Sequence, residues 1–145
     1  MHYKKILREI LDSQNYLCLA TADKHSKPWA SPVAYVCDED FSIYFISYIE
    51  SLHAQNIRNN NEVAFSIYDS DQLLRNALGI QASGFAEIID EHSMSAILRQ
   101  SLFDKVALAV LAKEYAIYRI TLTDIFLPDA ERWKEFHDLR IKIEI

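Results

Sequence analysis

Between residues 16 and 47 three strand-like runs follow one another with only short polar turns between them. That spacing narrows the fold more than any other feature of the chain. Parallel strands need a crossover of a dozen or more residues, whereas a tight turn joins antiparallel neighbours. The runs are Tyr-Leu-Cys-Leu-Ala-Thr-Ala at 16 to 22, Pro-Trp-Ala-Ser-Pro-Val-Ala-Tyr-Val-Cys at 28 to 37 and Phe-Ser-Ile-Tyr-Phe-Ile-Ser at 41 to 47. Asp23 to Lys27 and the acids at 38 to 40 supply the turns. Pro28 and Pro32 place the second run at a sheet edge or a bulge, because proline cannot donate to a ladder.

The rest of the chain extends this pattern. Residues 3 to 12 carry apolar side chains at 3, 6, 7, 10 and 11, the period of an amphipathic helix. Residues 51 to 60 suit a short helix capped by Ser51. Further strands are expected at 62 to 69, 79 to 90 and 115 to 127, and Leu98, Leu102, Val106 and Val110 mark 92 to 112 as helical. The end alternates strictly, with 139, 141, 143 and 145 expected inward and 140, 142 and 144 outward. Helices are too few for a doubly wound sheet. The expected fold is mainly β (α+β), a six- to seven-stranded antiparallel split β-barrel with flanking helices.

Composition sets the limits on function. A chain of 145 residues, half of them hydrophobic, suits a single domain spanning 1–145 with a core of its own. No run of about 18 apolar residues exists to cross a membrane, and no apolar stretch behind the first residues suggests a signal peptide. The expected setting is cytoplasmic. The net charge of −6 argues against nucleic acid as a partner. Only Gly79 and Gly84 are glycines, which excludes a P-loop or a dinucleotide-binding turn. Any phosphate must therefore be held by side chains and helix-end amides. Cys18 and Cys37 sit in apolar runs and read as buried free thiols, though an inter-strand disulfide fits the same positions. The five histidines lack metal-ligand spacing, so no metal site is expected.

Chemistry concentrates between residues 41 and 68. A strand ends at Phe45-Ile46-Ser47, and a tight connection leads to Ser51-Leu52-His53-Ala54-Gln55-Asn56, which opens a helix. Hydroxyls beside a helix N-terminus can hold an anion, with Ser47, Ser51 and His53 as extra donors. The same residues also allow a plainer reading, in which Ser51 is only a helix cap and His53 a surface side chain.

Three segments in this order, 27 to 35 (Lys-Pro-Trp-Ala-Ser-Pro-Val-Ala-Tyr), 45 to 64 and 79 to 87 (Gly-Ile-Gln-Ala-Ser-Gly-Phe-Ala-Glu), followed by Tyr118-Arg119-Ile120, resemble the pyridoxamine 5'-phosphate oxidase-like family of FMN-binding split barrels. The resemblance runs over about residues 5 to 127. It implies a homodimer with FMN in clefts at the subunit interface. It places Ser31 to Val33 along the flavin edge, Ile46 and Ser47 near the ring and ribityl chain, and Ser51, His53 and Asn56 at the phosphate. Gln81 corresponds loosely to a family glutamine near the flavin. Trp29 lies beside the implied flavin edge, and Trp133 lies in the region that can reach the partner's flavin; plain packing serves either equally well.

Two departures qualify the resemblance. Leu52 and His53 stand where flavin-binding members commonly carry an Arg-Lys pair on the phosphate. Phe136-His137-Asp138-Leu139-Arg140 lacks the leading arginine of the substrate motif of true pyridoxamine phosphate oxidases. The expectation is therefore a flavoprotein oxidoreductase for an unidentified small molecule, and not a true pyridoxamine 5'-phosphate oxidase. The alternative is a non-catalytic split barrel binding haem or another ligand.

Overall fold

The computed structural model describes residues 2–72, 78–128 and 140–145. Helix α1 (His2–Ser13) lays Leu7 and Leu11 into the core and leaves Lys4, Lys5 and Glu9 in water, while the half-buried Arg8 donates to the Asp38 and Glu39 carbonyls at 2.9 and 3.0 Å. Strand β1 (Tyr16–Ala22) turns at Asp23, whose carboxylate accepts from the amides of His25 and Lys27 at 2.8 and 3.0 Å. Strand β2 (Pro28–Ala34) returns beside it in unbroken antiparallel register, Tyr16 opposite Ala34 and Ala22 opposite Pro28.

The expected single strand over 28 to 37 breaks at Tyr35 into β2 and a short β3 (Val36–Cys37). Tyr35 is fully buried, and its hydroxyl donates to the Leu11 carbonyl at 2.8 Å. The break has a topological consequence. β2 pairs with β1 at one end of the sheet, while β3 pairs with β4 (Ile43–Tyr48) at the other. The path runs β2-β1-β5-β6-β7-β4-β3. One bent run thus ties both ends together and curls the sheet into a split antiparallel barrel. The prolines sit on the edge strand, where a missing amide breaks no ladder.

After α2 (Leu52–Asn59) come β5 (Glu62–Tyr68), β6 (Gly79–Ile89) and the long β7 (Tyr115–Pro128). The β6–β7 register slips between Ser83 and Gly84, and a Cβ at Gly84 would overlap the Thr121 carbonyl oxygen, so only glycine fits this bulge. Inside the barrel Leu17, Leu19, Phe45, Ile67, Ile80 and Ile120 are essentially inaccessible to water. Each such side chain contributes roughly 1.5–3 kcal/mol by burial.

The expected helix over 92 to 112 is divided. A 3-10 turn (Glu91–Ser93), α3 (Ala96–Lys105) and α4 (Leu108–Leu111) replace it. Ser95 caps α3 by accepting from the Leu98 amide at 3.2 Å, and Val106 ends it in extended backbone. Capping side chains interrupted what periodicity alone joined. The apolar positions still act together: Leu102 is buried with Met94, Tyr44 and Ile46 in a second cluster outside the barrel, with Leu98, Val106 and Val110 packed on it. Strand β4 is consequently buried on both faces.

The terminal alternation is only partly realised. β8 covers Arg140–Lys142 beside β7, with Ile141 half-buried and Ile143 buried, but Ile145 is half-exposed. The last bond to β7 runs from the Ile143 amide to the Ile125 carbonyl at 2.9 Å, and Ile145 lies beyond it. Leu139 lies outside the described residues. Both cysteines are free thiols, and they are half-buried rather than fully buried. Burial pushes the Cys37 thiol up to about 12. No helix among the described residues is long and apolar enough to cross a membrane.

Candidate functional site

The junction between β4 and α2 gathers three polar side chains at one point. Ser51 caps α2 by accepting from the Ala54 amide at 3.3 Å, and its carbonyl accepts from the Gln55 amide at 3.0 Å. The amides of Leu52 and His53 are left without an intrahelical partner, as at any helix start. Ser47, one residue before the end of β4, has its hydroxyl 2.6 Å from His53 Nε2 and 2.9 Å from the Ser51 hydroxyl. The third side of the triangle, Ser51 Oγ to His53 Nε2, is 3.2 Å. Desolvation by burial holds the His53 pKa below its ordinary 6.5. The neutral ring is thereby favoured, and Nε2 shares hydrogen bonds with both serine hydroxyls in a direction set by the tautomer.

This triangle opens on a cleft of about 310 Å³ whose walls include Val33 of β2 and Ile46 of β4. Five of the expected ligand residues, Val33, Ile46, Ser47, Ser51 and His53, therefore share one cavity, while their sequence positions span two strands and a helix. A smaller hollow at the barrel mouth, about 140 Å³, brings together Trp29, Leu52 and Asn56. Leu52 is 46% exposed, and Trp29 is similarly open. The Trp29 indole nitrogen donates to the Ser31 hydroxyl at 2.9 Å, so Ser31 is a buried support for the indole. Asn56 is also buried. Its amide donates to Thr21 Oγ1 at 3.0 Å, pinning the middle of α2 to β1.

One expected residue falls elsewhere. Gln81 is exposed on the outer face of β6, opposite Ser66 and Phe126, and borders a separate groove with Tyr68 and Leu78. Trp133 lies outside the described residues. Arg58 does not replace the missing phosphate cation: it donates to the Ile49 carbonyl at 2.7 Å and pairs with Glu50 at 3.5 Å.

One charged cleft residue escaped the sequence analysis. Lys105, at the end of α3, lines the same cavity. Nothing near it in the sequence distinguishes it from an ordinary solvated helix lysine, and only the packing of α3 on β4 brings it there.

Chemically the site is a cluster of polar side chains at a helix N-terminus above an apolar wall, with Lys105 on its α3 side. It suits an anionic or strongly accepting group on a flat apolar ligand. The hydrogen bonds of His53 are to serine hydroxyls and not to a carboxylate, so no base-orienting partner supports acid–base work. Among the described residues no group of three His, Cys, Asp or Glu is placed to hold a metal.

The outer face of β2, β1 and β5 is unusual for a water-facing sheet. Across the ladders Ala20 faces Ala30 and Ala64, and Cys18 faces Pro32 and Ser66. Tyr16 and Tyr68 flank this strip, each more than 60% exposed. Solvated antiparallel faces normally alternate toward polar side chains. Beyond Glu62 at the start of β5, this one carries small and aromatic residues.

Comparisons with known proteins agree with this architecture. A profile of the pyridoxamine 5'-phosphate oxidase family matches residues 3–129. A search of the curated proteins finds no match. Among solved structures, the chain is similar to a haem binding protein from Mycobacterium smegmatis, with 19% identity and a TM-score of 0.73 over 95% of this chain. It spans 56% of that protein. The haem storage protein HutZ from Vibrio cholerae is 15% identical, covering 86% of this chain and 93% of that one with a TM-score of 0.68. An F420 reductase is 20% identical, covering 81% and 94% with a TM-score of 0.62. At these identities the likeness is one of fold.

Proposed function

The chain belongs to the pyridoxamine 5'-phosphate oxidase family, and on that basis we propose that it is an FMN-binding oxidoreductase acting on a small molecule, working as a cytoplasmic homodimer. The observation that carries this reading is the convergence of Ser47, Ser51 and His53 on one cleft walled by Val33 and Ile46. The donor set fits a phosphate: two hydroxyls, an imidazole and the unpaired amides of Leu52 and His53 would hold it. Val33 and Ile46 would face the ring, with Trp29 at the barrel mouth. FMN, when bound, supplies the electron transfer, and the protein's part is to bind it, orient it and exclude water. The absence of an acid–base pair in the cleft suits that division of labour.

The homodimer is supported by the strip of small side chains on β2, β1 and β5. A second copy laid over Ala20, Ala30, Ala64 and Ser66 would remove exposed apolar surface and leave Glu62 at the rim.

A second reading has a specific observation behind it. Leu52 is exposed where the family's cation would stand, Arg58 is engaged with Ile49 and Glu50, and burial favours the neutral form of His53. A phosphate at the start of α2 would meet neutral donors there, without the bidentate cation that an arginine supplies. That favours a haem-binding or other ligand-binding protein on the same barrel, and two of the structural relatives bear haem-related names.

Absorbance separates the two. Purified protein carrying oxidised-flavin bands, or acquiring them on FMN titration, and bleaching with a reduced nicotinamide supports the oxidoreductase. Protein that stays colourless with FMN but takes up haem supports the alternative. Sedimentation at micromolar concentration tests the dimer, and a mass of one chain would sink it.

A further inference from the structure

The chain carries a net charge of −6, yet the cleft's walls contain no carboxylate among the described residues. Instead they contain Lys105. Its ammonium donates to the Tyr35 carbonyl at 3.1 Å and lies 5.6 Å from the Tyr35 ring. The side chain is thereby held at the cleft rather than swung into solvent. No described carboxylate comes within ion-pair distance; Asp12 acts on it only through a longer-range field. A lysine has three donors, and one is used. A second ammonium, Lys113, sits 4.8 Å over the ring of Tyr48, which is another of the cleft's walls.

Anchoring α3 to the strand explains the bond to Tyr35. It does not explain why an ammonium should be partly desolvated beside a cavity kept clear of acids, since burying a charge without a counter-charge is unfavourable. An anionic ligand removes that penalty.

We propose that Lys105 is the anion-recognising residue of this cleft, and that the small molecule it takes is a planar, apolar compound bearing a carboxylate, sulfonate or similar negative group. Val33, Ile46 and Val106 would hold the apolar body. Lys105 would receive the charge from α3, apart from the donor cluster at the start of α2. The proposal rests on the reading of this cleft as the ligand site, but it does not require FMN.

The test uses two aromatic probes of similar shape on the full chain: anilinonaphthalene sulfonate, which is anionic, and phenylnaphthylamine, which is neutral. Fluorescence titration of wild type, Lys105→Gln and Lys105→Arg gives the affinities. Lys105→Gln should weaken the anionic probe about tenfold, the factor expected for one charge-assisted hydrogen bond, and leave the neutral probe unchanged. Lys105→Arg should restore the anionic probe. Equal losses for both probes, or no loss for the anionic one, would overturn the proposal. A parallel FMN titration of wild type keeps the two readings apart. Probe discrimination without FMN binding refutes the flavin reading alone. FMN binding with the anionic probe indifferent to Lys105 refutes this one alone.

Discussion

The hydrogen bond between Asn56 and Thr21 ties the ligand-facing helix to the barrel, and its strength can be measured cleanly. Both side chains are about 4% exposed, and the donor–acceptor distance is 3.0 Å. Replacing Thr21 by valine keeps the volume but orphans the Asn56 amide. Replacing Asn56 by leucine keeps the branched shape, with somewhat bulkier methyls, but orphans the Thr21 hydroxyl. Each single change should cost about 1–3 kcal/mol, because a buried polar group then loses its partner without regaining water. The double variant Thr21→Val with Asn56→Leu has no orphan, and matched apolar replacement of both partners is nearly neutral. The two single costs should therefore fail to add, with a coupling equal to their sum, roughly 2–6 kcal/mol. Urea denaturation at equilibrium would read it. Thermal melting should show each single variant falling by about 2–4 °C per kcal/mol, with the double variant near wild type. If the single effects summed to the double effect within about 0.5 kcal/mol, the pair would not be an energetic unit. The pinning of α2, and with it the placement of Ser51 and His53, would then need another cause.

His53 should make stability depend on pH. Its folded pKa lies below 6.5, so the unfolded chain binds more protons between the two values; stability should fall as pH drops from 6.5 through the folded value, and His53→Gln should flatten that part of the profile in a denaturation series. Introducing the missing cations, Leu52→Arg with His53→Lys, should tighten FMN binding, since each charge-assisted bond to phosphate contributes about 1.5–3 kcal/mol; a fluorescence-quenching titration with unchanged affinity would place the phosphate elsewhere. The Tyr118 hydroxyl is buried with no hydrogen-bond partner among the described residues while its ring stacks on Phe45 at 4.9 Å, so Tyr118→Phe should raise the unfolding free energy by about 1 kcal/mol, and a clear loss would reveal a partner such as buried water.

Much of the site was legible because its elements are local. Ser51 caps α2 as its residue type and position require, and a strand ending at Ser47 a few residues earlier has little choice but to stand beside it. Trp29, by contrast, faces α2 only because β2 lies against β1 and α2 is pinned to β1 through Thr21. Gln81 shows the limit from the other side. A strand residue alternates between faces, and whether its face lines a ligand or meets solvent depends on which way the whole sheet curls. The alternation of β6 sent Gln81 outward.

What the sequence determined by itself was the set of elements. Short turns forced antiparallel pairing, apolar periods marked α1 and the strands, and Ser51 marked the start of α2, because these signals act within a few residues. Tertiary structure decided what those elements enclose. The break at Tyr35 hands one run from β1 to β4 and so closes the barrel. The packing of α3 on the outside of β4 buries a strand on both faces and carries Lys105 to the cleft. Both outcomes depend on contacts between residues far apart in the chain, Leu11 with Tyr35 and Tyr35 with Lys105. The free energy of such contacts belongs to burial in the assembled core, and no local window of sequence contains it.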